Sequence, residues 1–515
     1  MIPVIVGVGI LLVVSSPAVD ICLVDQAMEG NLEGVRSLLS QQVDVNSAQG
    51  DGMTALHWAA YRDDLPLAEI LIEAKANPEA ETRVGAITPL ILAARNGSSA
   101  TIAALLKAGA DPGKAASNGA TPLMSAATSG SVDAVKALVD GGADLNAREK
   151  TNGQTALMFA AWENRADVTR LLIERGAHPG LSSFVNLLDE PRFDDDGLPL
   201  PKRKGEQSGG SSVMGGMTAL LFAARDGNLD AVKALVESGA DVNQVSGGDG
   251  SSPINIAIAN GHYTVGKYLL DHGADPNLAN LDGLTPLYAT VNMRFAPVSW
   301  APNPRTDQES VGSTEILQAL LEGGANPNSR VKGKLWFSPT SHDRSWVDHK
   351  GATPLWRAAM SSDVEAMRIL VAGGADPNLA TDSGVTPLMV AAGIGWAGNF
   401  TQNAPDSWME ALKYCLELGA DVNAVETRKG YTALHGAASR GDIEMVQFLV
   451  DQGAKVDVVN KDGNSVADMA FGPSRFFIPS PETVDRLVKL GSPFQNNCRS
   501  DQCVDGKFLG GAVVK

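Results

Sequence analysis

Two stretches nearly four hundred residues apart decide the fold: Gly52-Met53-Thr54-Ala55-Leu56-His57-Trp58-Ala59-Ala60 and Gly430-Tyr431-Thr432-Ala433-Leu434-His435-Gly436-Ala437-Ala438. Each sets a threonine between a glycine turn and an apolar run. A threonine there reads as a helix N-cap, its side-chain oxygen taking up a free amide donor of the first turn. In other copies proline follows the hydroxyl residue (Pro89, Pro122, Pro253, Pro286, Pro354, Pro387), at the first helical position, where its missing N–H costs nothing. The alanine pair recurs as well, at Ala93-Ala94, Ala126-Ala127, Ala160-Ala161, Ala223-Ala224, Ala358-Ala359 and Ala391-Ala392. Such small residues let neighbouring helices approach closely.

The hydroxyl residue returns at Thr54, Thr88, Thr121, Thr155, Thr218, Ser252, Thr285, Thr353, Thr386 and Thr432, with a degenerate copy at Ser465. A step of 33 or 34 residues, enlarged three times, accounts for every interval. A fixed period of this size marks a repeat protein. Within each unit the first helix stops at a glycine suited to the left-handed conformation, as at Gly97, Gly130, Gly227, Gly261 and Gly441. A second helix follows with apolar residues at helical spacing, such as Val135, Leu138 and Val139. It ends in Gly-Ala-Asp-x-Asn, as at Gly239-Ala240-Asp241-Val242-Asn243, which reads as a turn.

These residues resemble the ankyrin repeat. Counting an irregular first copy near 21–50, twelve repeats run from about residue 20 to 491. The resemblance implies an all-α repeat solenoid of helix–turn–helix units with β-hairpin fingers, capped by irregular terminal repeats. It also implies a protein-binding role. In the family, the two exposed positions after Ala-Ala and the residue before the capping Thr line the binding groove. By that correspondence the groove would hold Met53, Tyr61, Arg62, Arg95, Asn96, Gln154, Trp162, Glu163, Arg225, Asp226, Tyr431 and Arg440. Aromatic and arginine side chains are the usual interface anchors. The plainer reading of each position is a solvated helix surface.

Insertions interrupt the period near 181–214, 294–312, 329–349 and 394–407. The first replaces a finger and carries Asp194-Asp195-Asp196, Lys202-Arg203-Lys204 and a Gly/Ser stretch that reads as a flexible loop. The stretches 294–312, 329–349 and 394–408 hold five of the eight tryptophans. They are Trp300, Trp336, Trp346, Trp396 and Trp408, with Phe337 and Phe400 beside them. Loops are ordinarily polar, so these rings either pack on the repeats or face a ligand. Fingers and inter-helix loops leave opposite ends of the short helices. The insertion at 329–349 is therefore expected on the other edge from those at 294–312 and 394–408.

Met1 to Val14 is almost wholly apolar and is followed by Ser15-Ser16-Pro17-Ala18. Its length suits a signal peptide over residues 1–18 and falls short of the roughly 20 residues of a membrane span. No Lys or Arg precedes it. The expected product is a periplasmic or secreted chain with no membrane span after cleavage, or a cytoplasmic one if the segment is not a signal. Four cysteines exclude a disulfide-dense scaffold. In the tail, 492–515, Cys498 and Cys503 enclose four residues and would close a small disulfide loop in an oxidising compartment. Cys415 sits in an amphipathic run and reads as core.

Lys plus Arg is 41 against 59 Asp plus Glu, a formal net charge of −18, which excludes a general affinity for nucleic-acid backbones. No nucleophile elbow, P-loop, zinc-protease helix or kinase set occurs. Gly393-Ile394-Gly395-Trp396-Ala397-Gly398 matches a dinucleotide fingerprint only in letters, because it follows a helix rather than a strand. His57, His262 and His435 read as structural hydrogen-bonders. No metal, cofactor or catalytic residue is expected. The reading is a non-enzymatic, monomeric protein-binding scaffold of unknown partner. Its alternatives are a small-molecule, metal or enzymatic pocket formed by the insertions in 285–408, and a secreted effector directed at a host. The stretch from Lys350 to Cys503, including Trp356-Arg357-Ala358-Ala359, resembles exported bacterial multi-ankyrin proteins.

Overall fold

The structure, a computed structural model, describes residues 22–187, 213–296, 306–333, 335, 347–396, 403–404, 408–472, 478–496, 503–504 and 507–508. Among these are 24 α-helices, which fall in sequence as twelve helix pairs. The fold is the all-α repeat solenoid expected. Contacts divide the chain into two compact units: Met1–Ala160 with Leu171–Ala177, and Ala161–Arg170 with His178–Lys515.

In the first unit the inner helices Leu23–Glu29, Ala55–Tyr61, Pro89–Asn96 and Pro122–Ser129 succeed one another, each paired with an outer helix such as Leu65–Glu73 or Val132–Asp140. The second unit repeats the plan from Ala219–Arg225 through Val466–Ala470. Ala59, Ala60, Ala93, Ala94, Ala126 and Ala127 are fully buried, as close inner-helix packing requires. Outer-helix residues such as Leu71, Leu105 and Leu138 bury completely against them. Each such leucine contributes roughly 1.5–3 kcal/mol.

The caps are as expected. Thr88 Oγ1 accepts from Ile91 N (3.3 Å) and Thr386 Oγ1 from Met389 N (3.2 Å). Gly97, Gly130 and Gly441 end their helices at φ +69°, +83° and +72°. The Asn of Asp-x-Asn does more than turn the chain. Asn423 Nδ2 donates to the Gly453 carbonyl (3.0 Å) while its Oδ1 accepts from Lys455 N (2.9 Å), tying one repeat to the next. Asn243, Asn277 and Asn328 make the same two bonds.

The first insertion opens as a lengthened finger: Val185–Leu187 pairs antiparallel with Val213–Gly215. Its charged and Gly/Ser-rich stretch lies outside the described residues. In the tail Cys503–Val504 pairs with Lys507–Phe508, while Cys498 lies outside. One expectation about the insertions needs correction. A Cβ on Gly395 would come within 2.6 Å of Val347 Cγ1, so the end of the finger insertion touches the inter-helix insertion rather than keeping to an opposite edge. The intervening helix Pro387–Ala392 has only 6 residues. At 1.5 Å per residue that is about 9 Å, a span that an enlarged finger easily crosses.

Candidate partner-binding face

The ends of the inner helices and the adjoining fingers carry the predicted groove positions. In the first unit Tyr61 is 57% exposed, its ring edge-on to Trp58 at 5.7 Å. Arg62 is exposed and donates to the Met28 carbonyl (3.2 Å), and Arg95 is exposed beside it in sequence order on the next inner helix. Met53 is half-buried. Asn96 is exposed but engaged: its Nδ2 donates to Tyr61 O (2.6 Å) and Ala60 O (3.3 Å), clipping two repeats together. Gln154 is buried, with 8% of its surface exposed. Its backbone N–H donates to Glu149 (3.1 Å), whose carboxylate also accepts from Thr151 N and Asn152 N at 2.6 Å.

The second unit gathers three of the predicted residues into one cluster. Trp162 closes helix Ala156–Trp162 and is 41% exposed. Its ring stacks on buried Phe222 at 6.1 Å and 20°. The Arg225 guanidinium carbon lies 5.6 Å from the Trp162 ring centre and 5.2 Å from that of Phe222. Asp226 holds this guanidinium through Nε (2.8 Å) and Nη2 (3.0 Å). Asn228 Nδ2 donates to the Trp162 carbonyl (2.5 Å), fixing the backbone beneath the ring. Stacking, a cation–π contact and a two-point ion pair fix the geometry of a side chain that still faces water. Glu163 is exposed next to it.

Tyr431 and Arg440 are less open. Tyr431 is half-buried, its ring 6.0 Å from His435, and burial, with Asp462 and Glu426 adding to it, pushes its hydroxyl up to about 12. Arg440 is covered by two insertion aromatics: its guanidinium carbon lies 3.5 Å from the Trp408 ring centre and 5.1 Å from that of Trp396. The two indoles are 6.2 Å apart at 66°. Trp396 and Trp408 therefore pack on the repeats. Trp300, Trp336, Phe337, Trp346 and Phe400 lie outside the described residues. Asp348 pairs with Arg428 (3.0 Å), and the His349 ring lies 5.2 Å from that of Trp356. Gly393, the head of the dinucleotide-like string, is a helix C-cap at φ +119°.

Three buried donors perform a task that the sequence assigned only to histidine. His57 Nε2 lies 2.9 Å from the Ile87 carbonyl, just before the next capping Thr. At the same register Asn255 Nδ2 donates to Leu284 O (2.7 Å) and Trp356 Nε1 to Val385 O (3.1 Å). Among the described residues no group of three His, Cys, Asp or Glu side chains is placed to hold a metal ion, and no helix is long and apolar enough to cross a membrane.

With the repeat geometry in place, comparison with known proteins gives the class. Ankyrin repeats in three copies match residues 23–116, 90–183, 201–292 and 309–395, and ankyrin repeats in many copies match 404–450. The chain belongs to the ankyrin-repeat family. It is 31% identical over 167 residues to the ankyrin repeat and SAM domain-containing protein 6 of Danio rerio, covering 31% of this chain and 21% of that protein. Over 252 residues it is 27% identical to the ankyrin repeat and SOCS box protein 16 of Homo sapiens, covering 49% of this chain and 46% of that one. Over 251 residues it is 26% identical to the human transient receptor potential cation channel subfamily A member 1, covering 47% and 18%. In each case the match spans less than half of the relative's length.

Proposed function

We propose that the chain is a non-catalytic scaffold that recognises a protein partner through the inner-helix and finger face, with Trp162 as its anchor. The observation that carries this is the cluster of Trp162, Phe222, Arg225 and Asp226. An indole 41% exposed is held rigid by a stacked ring and a tethered guanidinium. Rigid aromatic and arginine anchors bind at low entropic cost, because little freedom remains to be lost on association. Membership of a family used for protein interaction supports the reading.

The test is affinity capture from native cells with the full chain, followed by identification of what co-elutes. Trp162→Ala is expected to reduce capture of the principal partner at least tenfold while leaving the far-UV spectrum and Tm nearly unchanged. Equal capture by both chains would remove Trp162 from the interface. Export to a periplasm or beyond the cell is part of the same proposal, supported by the apolar run Met1–Val14 and its small-residue end. The mass of the N-terminal peptide from native cells decides it: a start near Val19 supports export, and an intact Met1 segment refutes it.

A further inference from the structure

Within each unit the fingers are joined by a ladder of single backbone bonds. An N–H near the tip of one finger donates to a carbonyl of the finger before it. Arg83 donates to Asp51 (2.8 Å) and Ser117 to Gly85 (2.9 Å) in the first unit, and Leu281 to Asp249 (2.9 Å) and Lys461 to Lys429 (2.7 Å) in the second. A ladder that always runs in this sense starts on an unused donor and ends on an unused acceptor. The donor at the start is the N–H of Gly50, which stands before Thr54 as Ser117 stands before Thr121. Gly50 is exposed, and its N–H has no partner among the described residues.

The other end is covered. After helix Pro481–Lys489 the chain turns at Gly491 (φ +103°) and returns as a short strap, residues 492–496, across the start of helix Val466–Ala470. Ser492 Oγ accepts from Ala467 N (3.2 Å), and Ser465 Oγ donates to the Pro493 carbonyl. The Phe494 ring lies edge-on to Phe471 at 5.3 Å. Gln495 makes two bonds: its N–H donates to Asp468 Oδ1 (2.9 Å) and its Nε2 to the Gly463 carbonyl of the last finger (2.9 Å). The strap therefore stands where the finger of a further repeat would stand.

Its polarity is reversed. Asn255 and Trp356, each the third residue of its inner helix, donate to the carbonyl just before the next capping residue. Asp468 holds that position in helix Val466–Ala470, and a carboxylate can only accept. It takes Ser465 N (3.0 Å), Ser465 Oγ (2.8 Å) and the Gln495 N–H. A finger carbonyl brought there would face an acceptor with no donor between them. We propose that the strap and Asp468 form an end-stop, which keeps the last finger of one chain from pairing with the first finger of a second copy. The Gly50 N–H and the carbonyls of the last finger are complementary, so an unstopped joint runs head to tail. Such a contact does not close on itself and builds open filaments. Covering an edge that would otherwise pair is the usual protection of exposed backbone ladders.

Sedimentation of the full chain tests this. Gln495→Pro deletes both the N–H held by Asp468 and the side-chain amide held by Gly463. Asp468→His supplies a donor at the third helical position, where His57 already fits and completes a capping box. The chain carrying both substitutions is expected to at least double its weight-average mass between micromolar and submillimolar protein, while the wild-type mass stays constant. Adding Gly50→Pro removes the complementary N–H at a position where a side chain meets open space, and should restore the wild-type mass. Association that survives Gly50→Pro, a mass that never rises in the double variant, or a rising wild-type mass overturns the proposal. The unaltered chain gives a check that needs no variant to fold. Its Gln495 amide should exchange at least tenfold more slowly than a free amide, and exchange at the free rate would show that the strap is not seated and overturn the end-stop.

Discussion

The guanidinium carbon of Arg440 sits 3.5 Å from the centre of the Trp408 ring, so an insertion residue closes over the end of an inner helix in the next repeat. Burial pulls the Arg440 pKa down to about 10, leaving it charged at neutral pH. Its Nε and Nη2 have no hydrogen-bond partner among the described residues. The indole faces thus supply much of what compensates the charge. Trp408→Ala is expected to cost about 2 kcal/mol, less than a fully buried tryptophan because the ring is only partly covered. Hydrogen exchange should quicken in helices Trp408–Glu417 and Ala433–Arg440. Unchanged exchange there would show that the stack contributes nothing.

Acid should weaken the same region. His435 is fully buried, and burial lowers its pKa from 6.5 to about 4. The folded chain therefore holds the ring neutral where the unfolded chain binds a proton. The associated stability is complete above pH 6.5 and drains away as pH falls towards 4, by about 3 kcal/mol in all. His435→Asn removes that slope, and Asn255 shows that an asparagine fits this register. Urea midpoints of the two chains between pH 7 and pH 4 check it: the curves should converge or cross on acidification, and parallel curves would refute it.

The asparagine tie between repeats gives a third expectation. Asn423→Ala deletes one donor and one acceptor linking its turn to the next, at Gly453 and Lys455. Both bonds are exposed, so the loss should be only about 1 kcal/mol. Its location is the informative part: amides of helix Ile443–Asp451 should exchange faster, while those of helix Pro89–Asn96 keep their wild-type rates.

These ties also mark what the sequence left unread. The alternation of 33- and 34-residue steps is plain in the letters, but its cause is not. In short fingers the closing bond spans four residues, as from Ala116 N to Ala120 O and from Asn280 N to Leu284 O. In long fingers it spans five, as from Glu149 N to Gln154 O and from Glu426 N to Tyr431 O. The residue that opens the finger sets its side chain into the turn in both forms: Asn280 Oδ1 accepts two backbone N–H groups in a short finger, and buried Glu149 and Glu426 each accept three in a long one. Caps, glycine stops and alanine pairs were legible because each acts within its own segment. Trp356, Asn255 and the Arg440 stack were not, because their partners lie a repeat away. Gln154 shows the same limit from the other side: its register predicts the open face, and the Glu149 turn buries it.

A buried ion pair offers the sharpest contrast between two carboxylates on one cation. Arg294 donates Nε to Asp363 (2.5 Å) and Nη2 to both Asp363 (3.2 Å) and Glu365 (2.6 Å). The Arg294 and Asp363 side chains are 8% and 3% exposed, whereas that of Glu365 is 60% exposed. Removing the buried partner leaves the arginine charge with only the exposed Glu365 carboxylate as counter-ion, a loss approaching the roughly 3–5 kcal/mol of a broken buried pair. Asp363 also caps helix Val364–Ala372 by accepting from Ala366 N (3.1 Å). An amide oxygen keeps that cap in Asp363→Asn, so the measured loss should come mainly from the charge. Glu365→Gln should cost less than about 1 kcal/mol, as exposed pairs do. Salt separates the two, since screening acts on exposed charges and barely on buried ones. Raising sodium chloride from 0.05 to 0.5 M should therefore erase most of the Glu365→Gln effect and leave that of Asp363→Asn nearly intact. Equal salt sensitivity in the two variants would mean that water reaches both carboxylates and that the pair is not buried.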